Sequence, residues 1–229
     1  MILSLEKVNV AYEIEQAVTD VRKTMDKFSQ YYATFDMKKI TELWALREDD
    51  LYAAPWGCYD GIEGVRRCFL ADYGDRSDPA AAERQKGCVM IRTVDSELIF
   101  VAEDIQTAQI ACRVWGTDIF GENVWDEFYK NKSCNVSMNM AADLIREDGV
   151  WKIWHMREWT NWHHPHDIPA TKVGRYPGFV LKEKTSEDTP PIAPGRFYER
   201  GYSEPPYPQG LPMLRPYKTF DDIAPGLGR

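Results

Sequence analysis

Ser133-Cys-Asn-Val-Ser-Met-Asn-Met-Ala-Ala-Asp-Leu-Ile-Arg-Glu-Asp-Gly-Val-Trp-Lys-Ile-Trp-His-Met-Arg-Glu-Trp159 decides the fold. Two β-compatible runs, 133–146 and 150–159, flank Glu147-Asp-Gly149, whose acidic and glycine residues suit a tight hairpin turn. In the first run Asn135, Ser137, Asn139 and Asp143 alternate with Cys134, Val136, Met138, Met140 and Leu144, the two-residue period of a strand. The same rule divides the second run into Trp151, Ile153, His155, Arg157 and Trp159 on one face and Lys152, Trp154, Met156 and Glu158 on the other. Upstream, 89–94, 97–102 and 107–117 are further β-compatible runs, with a turn at Glu103-Asp104. Together they predict a meander of long antiparallel strands.

Ahead of the meander the period is helical. Ile14, Val18, Val21, Met25, Phe28, Tyr32 and Phe35 recur at spacings of four and three, one face of a long helix. Asp36 interrupts it, and 37–45 reads as a short second helix with Ile40, Leu43 and Trp44 turned inward. Residues 51–54 form a short strand ended by Pro55 and Gly57, 62–69 a third helix, and 72–86 a charged surface loop. Helices first and strands after give an α+β fold with helices packed on one face of the sheet. Past Trp162 the texture changes, because twelve of the fourteen prolines lie in the last 65 residues. Proline denies this stretch a helix or a central strand. Phe179, Phe197, Tyr198, Tyr202, Tyr207, Leu214, Tyr217 and Phe220 are too apolar for a solvating linker. The expected division is therefore a globular domain over 1–162 and an extended Pro- and aromatic-rich arm over 163–229, wrapping its own domain or a neighbouring subunit.

Composition narrows the function classes. A net charge of −8 without a basic block argues against nucleic acid and anionic membrane surfaces as partners. The opening Met-Ile-Leu-Ser-Leu-Glu-Lys reaches charge too soon for a signal peptide, and no apolar run approaches a membrane span. The five cysteines include no Cys-x-x-Cys pair and read as free thiols, so a cytoplasmic protein is expected. His163-His-Pro-His166 is the one metal-like cluster, but adjacent ligands around a proline suit a tetrahedral site poorly, and no metal is expected. Phosphate-binding glycine loops and nucleophile motifs are absent, which argues against nucleotide cofactors and covalent hydrolysis.

Three landmarks in order carry a resemblance: Tyr31-x-x-x-x-Asp36 at the end of the long helix, Gly57-x-Tyr59-x-Gly61-Ile-Glu-Gly-Val65-x-x-x-Phe69, and Arg146-Glu-Asp-Gly-Val-Trp-Lys-Ile153. Over about residues 10–160 the chain resembles SnoaL-like members of the nuclear-transport-factor-2-like superfamily. The resemblance implies a cone-shaped α+β barrel in which N-terminal helices pack on a strongly bent antiparallel sheet, usually as a homodimer or homotrimer. Enzymes of that superfamily include ketosteroid isomerase, scytalone dehydratase, bile-acid 7α-dehydratase and diarylpropane γ-formaldehyde lyase, while other members only bind, so the fold leaves function open. The Tyr–Asp spacing is similar to that of the bile-acid dehydratase branch and makes Tyr31 and Asp36 pocket residues by resemblance. Tyr59 belongs to the second landmark, and the basic group of the final strand falls on His155 or Arg157. Many family dehydratases carry a histidine near the start of the first long strand, where this chain has Arg92 and Thr93; a polar mid-sheet residue corresponds to Asp118.

The residue chemistry stands beside this. A phenol is a good donor to an oxygen gaining charge, the role open to Tyr31 unless it is a packed, half-buried ring. Asp36 is a general base if it lies in an apolar cavity, or an N-cap if it does not. His155 can move a proton and Arg157 can hold an oxyanion; Trp151 adds an aromatic wall to the same face. The alternative is a satisfied core histidine and a salt-bridged arginine. Asn139, in the polar stripe, faces solvent or the interior of the cone. The expectation is a cofactor-independent lyase or dehydratase acting on a bulky aromatic or polycyclic hydroxylated small molecule. Tyr31, Asp36 and His155 would be catalytic, and Arg157, Asp118, Trp151, Tyr59 and Asn139 substrate-binding. The rivals are a non-catalytic binding or assembly module of the same fold and a ketosteroid-isomerase-like isomerase.

Overall fold

The computed structural model describes residues 5–54, 57–124 and 129–167. The arm expected from residue 163 lies outside the described residues from 168 onward. Helix α1 (Leu5–Thr34) buries Val21, Met25, Phe28 and Tyr32, four positions of the expected stripe, against the sheet. It ends at Phe35, held at φ 56°, a left-handed conformation that costs a non-glycine residue about 1 kcal/mol. That conformation is fixed from outside, since Arg76 N–H donates to the Phe35 carbonyl and the Arg76 guanidinium lies over its ring. Helix α2 (Met37–Glu42) is capped by Asp75, whose Oδ2 accepts from Lys38 N–H at 2.8 Å. The Asp36 side chain makes no cap hydrogen bond.

Strands β1 (Leu51–Ala54) and β2 (Gly57–Asp60) form a short antiparallel pair, and helix α3 (Gly61–Arg66) follows directly. Gly64 lets α3 touch β2, because a Cβ there would stand 2.8 Å from the Tyr59 carbonyl carbon. The helix then widens into a π-type segment, Arg67–Gly74. The charged stretch expected as a loop contains the end of that segment and a helix, α4 (Pro79–Arg84), whose Asp78 cap accepts from Ala80 N–H at 2.8 Å. Strands β3 (Val89–Val101), β4 (Thr107–Ile119), β5 (Ser133–Glu147) and β6 (Val150–Pro165) complete a six-stranded sheet in the order β2-β1-β6-β5-β4-β3. Two expected strands are thus one, β3, with a bulge between Asp95 and Leu98. The meander β3 to β6 is antiparallel as expected, and β1 lies parallel to β6. The hairpin between β5 and β6 turns on Asp148 and Gly149, both at positive φ. Among the described residues no helix is long and apolar enough to cross a membrane.

Two bulges in β6 overturn the strict alternation expected there. Leu144 pairs with Ile153 and Asp143 with His155, so Trp154 is an extra residue. Ile153 and Met156 consequently both face the core, with Glu158 two residues further on the same side. His155 and Arg157 fall on the opposite face. A second bulge, between the Met138–Thr160 and Ser137–Trp162 pairs, returns His163 to the core face opposite Val136. His163 and Pro165 therefore belong to β6 and its ladder.

Candidate active site

Four side chains with ionisable heads meet where the core faces of β3, β4 and β6 converge under α1. The Arg92 guanidinium grips Asp118 edge-on, Nη2 to Oδ2 at 2.9 Å and Nε to Oδ1 at 3.4 Å. His163 Nε2 stands 3.3 Å from the same Oδ2, its ring stacked on Tyr129 and edge-on to Phe120. Burial alone would raise the Asp118 pKa, but the Arg92 charge and His163 outweigh it and hold the carboxyl below its ordinary value. Burial likewise works against the Arg92 charge, and Asp118 reverses that, keeping the guanidinium firmly protonated. The gap at Gly116 makes room for this pair, because a Cβ there would lie 2.0 Å from the Ile91 carbonyl oxygen beside Arg92.

Glu158 is the fourth. It is only 6 % exposed, and burial raises its pKa, offset in part by Arg92 and by the nearby Tyr52 hydroxyl. Its Oε2 is buried without a close, well-aligned donor among the described residues. Three phenols from three elements surround the group: Tyr32 of α1, Tyr52 of β1 and Tyr73 of the π segment. Tyr32 and Tyr73 hydroxyls are 2.6 Å apart, and Arg92 lies over the Tyr32 ring at 4.7 Å. Burial pushes all three phenols up, so they stay protonated as donors. One buried cation here faces two carboxyls. Asp118 takes the full fork of Arg92, and Glu158 is the carboxyl whose pKa burial leaves raised.

The residues expected to form the site are divided by the structure. Asp118 lies at its centre. Trp151 is buried in the same core, and Tyr59, also buried, stacks on Tyr52 at 6.0 Å and donates to Asp72 Oδ2 at 3.0 Å. Tyr31 is half-buried with Lys39 over its ring, and Asp36 pairs with Lys39 Nζ at 3.0 Å. His155 lies across the sheet, where its Nδ1 is 2.9 Å from Asp143 Oδ2 and its Nε2 is 3.1 Å from the Asp49 carbonyl oxygen. Asn139 and Arg157 share that opposite face, Asn139 buried and Arg157 half-buried. Tyr31 and Asp36 thus share Lys39 at the end of α1, while His155 lies apart from both on Asp143 and the Asp49 carbonyl. Glu158, His163, Tyr32, Tyr52 and Tyr73 took no part in the expected site; the buried stripe of α1 already marked Tyr32, whereas Glu158 and His163 are turned inward by bulges.

No family model matches the sequence, and no curated protein matches it. Solved structures do. A hexachlorocyclohexane dehydrochlorinase, LinA-type3 of Novosphingobium barchaimii, superposes with a TM-score of 0.51 at 15 % identity, covering 69 % of this chain and 99 % of that one. A Novosphingobium aromaticivorans protein provisionally assigned as a scytalone dehydratase gives 0.52 at 12 % identity, over 69 % and 93 %. A nuclear-transport-factor-2-like superfamily protein of Salmonella enterica gives 0.50 at 10 %, over 64 % and 92 %. With helices packed on a six-stranded mixed sheet and solved structures of this architecture spanned almost end to end, the chain has the nuclear-transport-factor-2-like α+β cone fold.

Proposed function

We propose that the chain is a cofactor-independent lyase working by general acid–base chemistry on a bulky aromatic or polycyclic hydroxylated small molecule, with loss of water or formaldehyde. The observation that carries this is Glu158, a buried carboxyl of raised pKa set between a fixed guanidinium and a phenol. Burial moves such a group away from the ordinary carboxylate range in the direction that suits a general acid or base. Glu158 takes the proton whose departure starts the elimination; Arg92 and the Tyr52 hydroxyl face the oxygen on which negative charge develops. Asp118 and His163 hold Arg92 in place, and the stacked pair Tyr52–Tyr59, with Phe69 tilted against Tyr52, gives the site aromatic surroundings suited to an aromatic body. The proton-transfer role first expected of Asp36 and His155 passes in this reading to Glu158.

The test is mass spectrometry of aromatic diols and hydroxylated steroids incubated with the metal-stripped full chain, beside Glu158→Gln. Loss of water or formaldehyde, slowed about a hundredfold or more in Glu158→Gln with the fold retained, is the expected result. Saturable binding with no mass change in any compound would instead favour a carrier of the same fold.

A further inference from the structure

Arg67 opens the π segment, one turn beyond the glycine that lets α3 touch β2. That contact seats its guanidinium over the ring of Tyr59, 5.5 Å from the centroid. Nε and Nη2 are both buried, and neither meets a hydrogen-bond acceptor among the described residues. These two nitrogens lie on one edge of the guanidinium and form the side-on fork that fits both oxygens of a carboxylate. The same edge of Arg92 is used in this way inside the protein, on Asp118. The nearby Asp72 is engaged by the Tyr59 hydroxyl. A buried fork is costly unless an anion meets it.

Tyr59 connects the fork to the site. Arg67 covers Tyr59, Tyr59 stacks on Tyr52 at 6.0 Å, and the Tyr52 hydroxyl lies near enough to Glu158 to favour its charged form. We propose that Arg67 is a carboxylate-binding residue, so that the ligand is an aromatic carboxylic acid: its acid group on the Arg67 fork, its ring along the Tyr59–Tyr52 stack, its other end towards Glu158. The inference rests on the lyase reading for the meaning of that far end; the fork itself is tested by binding alone. Arg67 on this view fixes which molecules enter and in which direction, and takes no part in proton transfer.

The experiment titrates the full chain with 1-naphthoate and with 1-naphthamide, which has the same ring without the charge, by calorimetry. Wild type should bind the acid roughly tenfold or more tightly than the amide. Arg67→Met should erase that preference while leaving amide binding in place, and Arg67→Lys, which keeps the charge but loses the fork, should recover only part of it. Equal affinities in wild type, or an undiminished preference in Arg67→Met, overturn the inference. So does a wild type that binds neither compound while Arg67→Met lowers the melting temperature, because the guanidinium is then held by an acid of the chain itself. Turnover is not read, so failure of the lyase assignment leaves each outcome interpretable.

Discussion

Tyr31 and Tyr32 are neighbours with the same chemistry and different fates. Tyr32 sits on the buried stripe of α1, its hydroxyl on Tyr73, while Tyr31 lies beside it under Lys39. Removing the Tyr32 hydroxyl leaves a buried partner poorly satisfied, so Tyr32→Phe should cost about 1–2 kcal/mol in urea unfolding and Tyr31→Phe less than about 0.5. A motif spacing pointed to the first tyrosine, and helical periodicity to the second. Spacing along a chain does not say which side a ring takes, whereas burial of a stripe does. A different residue governs pH behaviour. Asp50 is fully buried, its Oδ2 accepting from Arg47 N–H at 3.0 Å, and burial raises its pKa to about 7, partly opposed by His155 and reinforced by Asp49. The folded state therefore favours the protonated acid; this stability is present at low pH and lost as pH rises from the ordinary 3.8 through about 7. Asp50→Asn cannot titrate. Between about pH 5 and 7 wild type should lose about 1 kcal/mol per pH unit relative to it, read from urea midpoints across that range.

At the scale of elements, β6 shows how much of a strand depends on its partners. Residues 43–45 clasp Ile153 from one side, Ala45 N–H donating to its carbonyl and its own N–H donating to Leu43, while β1 begins its pairing at His155. Two partners with different registers leave Trp154 as the extra residue. Nothing in Trp-Lys-Ile-Trp-His itself announces that bulge, which is why alternation put Glu158 on the outer face and His155 inside. Deleting Trp154 would restore simple alternation with His155 outward and Met156 and Glu158 still inward, so the shortened chain should keep a cooperative melt by circular dichroism, at a lower temperature for the loss of the Trp154 packing. Gly116 makes a companion case. Gly116→Ala has no room between β4 and β3 and should cost about 2–4 kcal/mol, with loss of the Arg92–Asp118 contact visible in a crystal structure.

For the whole molecule, the order of helices and strands was legible because, apart from the short strands at 51–60, helical period gives way to strand period near residue 88, and each period has one geometric meaning. The site was less so, since it is assembled from α1, β1, the π segment, β3, β4 and β6: the stripe of α1 marked Tyr32, Asp118 entered only through the family resemblance, and Glu158 and His163 had no signal within their own strand. The end of β6 was placed too early for the same reason. His163 reaches Asp118, and His166 hydrogen-bonds Ser133 and Asn135, contacts that no local pattern reveals. Removing residues 163–229 should accordingly lower the melting temperature more than removing 168–229, by several degrees in a thermal scan.

The parallel pair of β1 and β6 also sets a timetable. Leu51 bonds alongside His155, so the core has no finished wall until a strand begun about a hundred residues later has been made. As the chain leaves the ribosome, α1 and the first strands wait with their apolar sides uncovered, and no earlier piece can complete itself. Folding is thus late and all at once, and the interval before β6 appears is when this protein is most exposed to aggregation and to capture by chaperones.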